Sequence, residues 1–143
     1  MIDMIIGLVA IPSRMKEIGE TLDSIKKNRP DTPVHVFIEP MDVEPIEREN
    51  VTRHINTEQL GCFANHANAI DWLSDPANHD HEYVILSQED FVFADDTASE
   101  IERFLDSFTG KDFGFLGLYT SPKKAKDIYK QNRQEINFGY GSY

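Results

Sequence analysis

The sequence predicts an α/β fold whose open, mostly parallel sheet is flanked by helices, and three observations predict it. Residues 4–11 are a nearly continuous apolar run closed by Pro12, as a central strand buried on both faces requires. Short apolar runs alternate along the chain with segments whose apolar residues recur at helical spacing, the order that builds parallel sheets. Polar or acidic residues stand where several of these runs end. At 143 residues, 40% hydrophobic and 27% charged, the chain has the size and composition of one globular domain spanning 1–143.

After the first strand, Ile18, Leu22 and Ile25 mark a surface helix that closes at Asn28, Arg29 and Pro30, because the residue before a proline resists the helical region. Val34–Ile38 reads as a second strand delivering Glu39 to its C-terminal end, and Val51–Ile55 as a short strand beyond an acidic excursion. The spacing predicts a helix over 61–73 with Phe63, Ala67, Ile70 and Leu73 toward the core. Asn65, Asn68 and Trp72 share another face, either as solvent decoration or as cleft lining. Residues 83–86 form a further strand, ending in Gln88, Glu89 and Asp90. Thr97 and Glu100 have capping-box spacing before a helix striped by Ile101, Phe104, Leu105 and Phe108. A strand over 113–118 and a helix opening at Ser121 and Pro122 complete the reading.

Composition narrows the function. With 25 acidic against 14 basic residues and a formal charge of -11, the chain repels polyanions, which argues against nucleic acid as a direct partner. A phosphorylated ligand would need an arginine, a helix N-terminus or a divalent cation to offset that field. No run approaches the roughly 20 apolar residues that span a bilayer. Residues 1–9 are too short, and at Asp3 too acidic, for a signal peptide, so the expected location is the cytoplasm. The lone Cys62 excludes an internal disulfide and reads as a buried structural thiol rather than a nucleophile.

Ligands of open α/β sheets gather at the C-terminal strand ends, which makes Pro12 to Arg14, Glu39, and Gln88 with Glu89 and Asp90 the candidates. Adjacent carboxylates after a rigid buried strand suit a hard cation such as Mg²⁺ or Mn²⁺, although a solvated acidic turn has the same composition. Neither a Walker-type loop nor a G-x-G-x-x-G pattern follows the first strand, which argues against an ATPase or a dinucleotide oxidoreductase. His79 and His81 lack the third ligand that zinc needs, and the G-x-S-x-G elbow of esterases is missing.

Taken in order, Ile11-Pro12-Ser13-Arg14, the helix with Thr21-Leu22-Asp23-Ser24-Ile25, the strand ending in Glu39, the segment from Gly61 through Asn65 and Asn68 to Ala69, and the strand leading into Gln88-Glu89-Asp90 resemble the nucleotide-sugar half of glycosyltransferases with the A-type, Rossmann-like fold. The resemblance covers residues 3–120. It implies that Pro12 and Arg14 approach the nucleotide, Glu39 contacts base or ribose, and Asn65 with Asn68 lies near nucleotide or sugar. Asp90 matches the last acid of the family's D-x-D metal motif, with Glu89 beside it and Mn²⁺ or Mg²⁺ as cofactor. Gln88 stands where the family often has its first aspartate, and an amide coordinates only through its oxygen without offsetting charge. A triplet offset by one residue fits equally, with Phe91 then the departure.

The implied activity is metal-assisted transfer of a sugar from a nucleotide diphosphate sugar, uridine-based by the resemblance, to a hydroxyl acceptor. Such enzymes carry an acceptor-binding half that supplies the catalytic base in inverting members. The segment 138–143 resembles the start of that half, so the chain is expected to lack it, and Asp127 and Glu135 flank a surface helix. The alternative is a noncatalytic nucleotide- or sugar-binding module, or a structural one, pairing with another chain.

Overall fold

The computed structural model describes residues 2–40 and 47–107. Along these the order is β1 (Met4–Ala10), a 3-10 turn (Pro12–Arg14), α1 (Met15–Asn28), β2 (Val34–Ile38), β3 (Val51–Ile55), α2 (Cys62–Ser74), β4 (Tyr83–Gln88) and α3 (Thr97–Ser107). The four strands form one sheet in the order β3-β2-β1-β4, every neighbouring pair parallel. This is a Rossmann-like α/β sheet flanked by helices. The compact unit carrying it is Met1–Arg103, and a second unit begins at Phe104. The strand expected over 113–118, the helix after Ser121, and Asp127 and Glu135 lie outside the described residues. Among the described residues no helix is long and apolar enough to cross a membrane.

β1 is buried at every position because it lies between two helical layers. Alternate side chains of a strand point to opposite faces. Ile6, Leu8 and Ala10 therefore pack with Ile18, Leu22 and Ile25 of α1 and with Val34, Val36 and Ile38 of β2. Ile5 and Val9 meet Phe37, Ala69 and Leu73 on the α2 side. The loop after β4 is pinned along a polar stripe of α1. Thr21 Oγ1 donates to Glu89 O at 2.6 Å, Ser24 Oγ accepts from Phe93 N at 2.9 Å, and Asn28 Nδ2 donates to Ala94 O at 3.0 Å.

Three sequence expectations are overturned. α2 buries Leu73 as expected but not Phe63, Ala67 and Ile70: Phe63 is 88% exposed, and Asn65 and Ala69 face inward instead. Gly7 of β1 leaves room for Leu73, since a Cβ added there would sit 2.4 Å from Leu73 Cδ1, and Asn65 turns inward to donate to Phe37 O at 3.1 Å. Cys62 is exposed, not buried, because it opens α2 at the sheet's edge. The capping box does not form. Asn28 Oδ1, from α1, accepts the first-turn amide of Ala98 at 3.2 Å, while Glu100 bonds Arg103 at 2.6 Å.

Candidate functional site at the strand ends

All four strands run the same way, so residues after Ala10, Ile38, Ile55 and Gln88 share one edge of the sheet. From β1 the chain steps outward to β2 and β3, and α2 then carries it back to β4 on the other side of β1. That reversal is a topological switch point, where neighbouring connections diverge and leave a crevice. Backbone bonds draw its rim together: Glu39 N donates to Ala10 O at 3.4 Å and Glu89 N to Val9 O at 3.2 Å.

Two groups of side chains gather on this edge. At the β1 and β4 ends, Arg14 reaches both acids after β4, with Nη1 3.2 Å from Asp90 Oδ2 and Nε 3.6 Å from Glu89 Oε1. Pro12 opens the turn that positions this guanidinium, and no side chain caps the N-termini of that turn or of α1 among the described residues. At the β2 and β3 ends an amide chain runs from Asn68 Nδ2 to Asn56 Oδ1 at 3.4 Å and from Asn56 Nδ2 to Asn65 Oδ1 at 2.9 Å. It ends with Asn65 Nδ2 on Phe37 O at 3.1 Å. Glu39, 5% exposed, accepts Leu60 N through Oε2 at 2.7 Å, while its buried Oε1 has no hydrogen-bond partner among the described residues. Gly61 shapes the Leu60 turn at φ 81°, a conformation that side chains disfavour.

Gln88 joins the second group to β4 through His66, its Nε2 lying 3.1 Å from His66 Nε2. His66 Nδ1 is 2.7 Å from Cys62 O, a carbonyl that can only accept, so Nδ1 carries the proton and Nε2 accepts from the Gln88 amide. In that tautomer His66 is not set to take a proton from Cys62 Sγ, 3.7 Å away. Sequence reasoning missed Asn56, His66 and Thr21. The strand-end rule applied to Val51–Ile55 points to Asn56, and helical spacing from Cys62 points to His66.

Comparison with protein-family models, with curated proteins and with solved structures finds no match to this chain. Function is therefore read from the site alone. Among the described residues no cluster of three or more histidines, cysteines or carboxylates converges for a metal ion. His81 is instead paired with Asp3, at 2.6 Å. A cleft of about 320 Å³ opens at the opposite edge, where Val34 and Val51 begin their strands. It is lined by groups of both charges, Lys26, Arg29 and Arg48 with Asp23, Glu47 and Glu49, away from the candidate residues.

Thr21 holds the acidic turn in place from a fully buried position. Thr21→Val keeps the shape but leaves Glu89 O without its donor, at an expected cost of about 1–3 kcal/mol. Thermal unfolding of the variant measures it, and an unchanged midpoint would mean that the turn finds another donor.

Proposed function

We propose that this chain binds a nucleotide diphosphate sugar at the C-terminal edge of its sheet, as the donor-binding part of a glycosyltransferase resembling the A-type fold. The observation that carries the reading is Glu39, a buried carboxylate with one oxygen unsatisfied among the described residues at a parallel-sheet ligand edge. A buried acceptor without a donor is costly, and a ribose hydroxyl or a base N–H would satisfy it once binding opens the edge around Glu39. Asn56, Asn65 and Asn68 extend the same polar lining.

The diphosphate belongs at the β1 and β4 ends. Arg14 and the N-terminal turn of α1, which no side chain caps among the described residues, supply the positive potential that a chain of net charge -11 otherwise lacks. Mn²⁺ or Mg²⁺ would be held by Glu89 and Asp90 together with phosphate oxygens, since such ions are often bound by one or two carboxylates plus substrate phosphates. The donor set fits that shared arrangement better than a standing all-protein site, because Arg14 already balances both acids. A diphosphate offers the guanidinium another anion, so cation and nucleotide should bind together. When bound, the cation would stabilise charge on the departing diphosphate.

Calorimetry with uridine diphosphate and Mn²⁺ is expected to show cation-dependent binding, and no heat at millimolar concentrations of both would sink the donor-site reading. Asp90→Asn should leave folding intact, because its half-exposed side chain contributes nothing to the core. It should weaken nucleotide binding roughly tenfold, about 1.4 kcal/mol, only when the cation is present. Equal affinities for variant and parent in Mn²⁺ would remove Asp90 from the site.

A further inference from the structure

The α2 side of the sheet carries a cluster that ligand binding at the strand ends does not use. His35 of β2 and His54 of the outermost strand β3 face each other, Nδ1 to Nε2, at 2.8 Å. Their rings are 5.1 Å apart, and the Trp72 indole of α2 sits 4.6 Å from each. Phe37 stacks on His54 at 4.5 Å and 9°. His79 lies 6.1 Å from Trp72 and 5.6 Å from His81, both on the loop between α2 and β4, and His81 is paired with Asp3.

We propose that the His35 and His54 pair is an acid-sensitive latch fastening β3 and α2 to the sheet, opened when both rings carry a proton. The reason is the bond between them. Two imidazoles facing nitrogen to nitrogen share one proton, one ring donating and the other accepting. A single extra proton leaves that bond intact. A second places two N–H groups and two positive charges face to face between Phe37 and Trp72, where no carboxylate among the described residues is paired with either ring. Asp3, the acid at the cluster's rim, is taken by His81.

The electrostatics agree in direction. His35 is pushed down to about 4, first by burial and then by the charges that His54, His79 and His81 would carry, and burial also lowers His54. A released strand takes up protons at the ordinary histidine value, about 6.5. The closed latch thus keeps its full advantage above about pH 6.5 and loses it as pH falls toward 4. The consequence reaches the strand-end edge, because Asn56 follows β3 directly and bonds Asn65 of α2.

Amide hydrogen exchange on the intact chain between pH 7 and 4.5, corrected for intrinsic rates, tests the latch. Val51–Ile55 should lose protection before Met4–Ala10 does, and Trp72, the only tryptophan, should report the same step as a reversible change in emission. His54→Phe keeps a ring on Phe37 but cannot be protonated, and should abolish the early loss in β3. Simultaneous loss in β1 and β3, no loss at all, or an unchanged acid response in His54→Phe would each overturn the proposal. If that variant does not fold, the ratio of β3 to β1 protection in the parent decides alone.

Discussion

Phe37→Ala is expected to destabilise the fold by about 3–5 kcal/mol, the range for emptying a large aromatic site in a core. Phe37 is among the largest fully buried side chains and joins Ile5 and Val9 of β1 to Ala69 and Leu73 of α2. Its ring also stacks on His54 and meets Trp72 edge-on at 5.8 Å, contacts worth about 0.5–1.5 kcal/mol for an aromatic pair beyond area burial. The neighbours cannot refill the space cheaply, since β1 and β2 are locked in register and Leu73 already fills the space over Gly7. Denaturant unfolding measures the loss. A cost below about 1 kcal/mol would mean that α2 collapses into the cavity and that this helical layer is loosely seated.

Asn65→Leu should cost on the order of 2–3 kcal/mol although it replaces an amide by a hydrophobe of similar size at a 1% exposed position. The variant removes the second donor of Phe37 O, a carbonyl that the β1 ladder also serves, and strips Asn56 Nδ2 of its acceptor. Unmet polar groups next to the core cost more than the added apolar contact returns. If the strand-end edge binds a nucleotide as proposed, the same change should weaken that binding more than stability alone explains, because Asn56 loses the partner that holds it. Unfolding curves and calorimetry on one preparation separate the two effects. An Asn65→Leu variant as stable as the parent would show that the amide chain is decoration.

The strands were legible because their signals are local. Val34–Ile38 and Val51–Ile55 fall where the apolar runs place them, and the uninterrupted run in β1 reflects burial on two faces. Glu39, Gln88, Glu89 and Asp90 were found by the same logic, as polar residues at the ends of buried strands. α2 was located and Leu73 rightly placed in the core, but Phe63, Ala67 and Ile70 were placed there with it. Helical periodicity weighs hydrophobicity, whereas Asn65 turns inward because its amide donates to Phe37 O. Phe63 and Ile70 look like core residues and stand in solvent.

By itself the sequence determined the element order, the parallel sheet and the set of polar strand ends, because burial and backbone hydrogen bonding act over a few neighbouring residues. Only the tertiary structure decided which of those ends act together. Arg14 meets Asp90 across 76 positions of chain, and His35 meets His54 across 19. Such pairings follow from the strand order β3-β2-β1-β4, and strand order is set by which helix covers which face, a property of the whole packed unit.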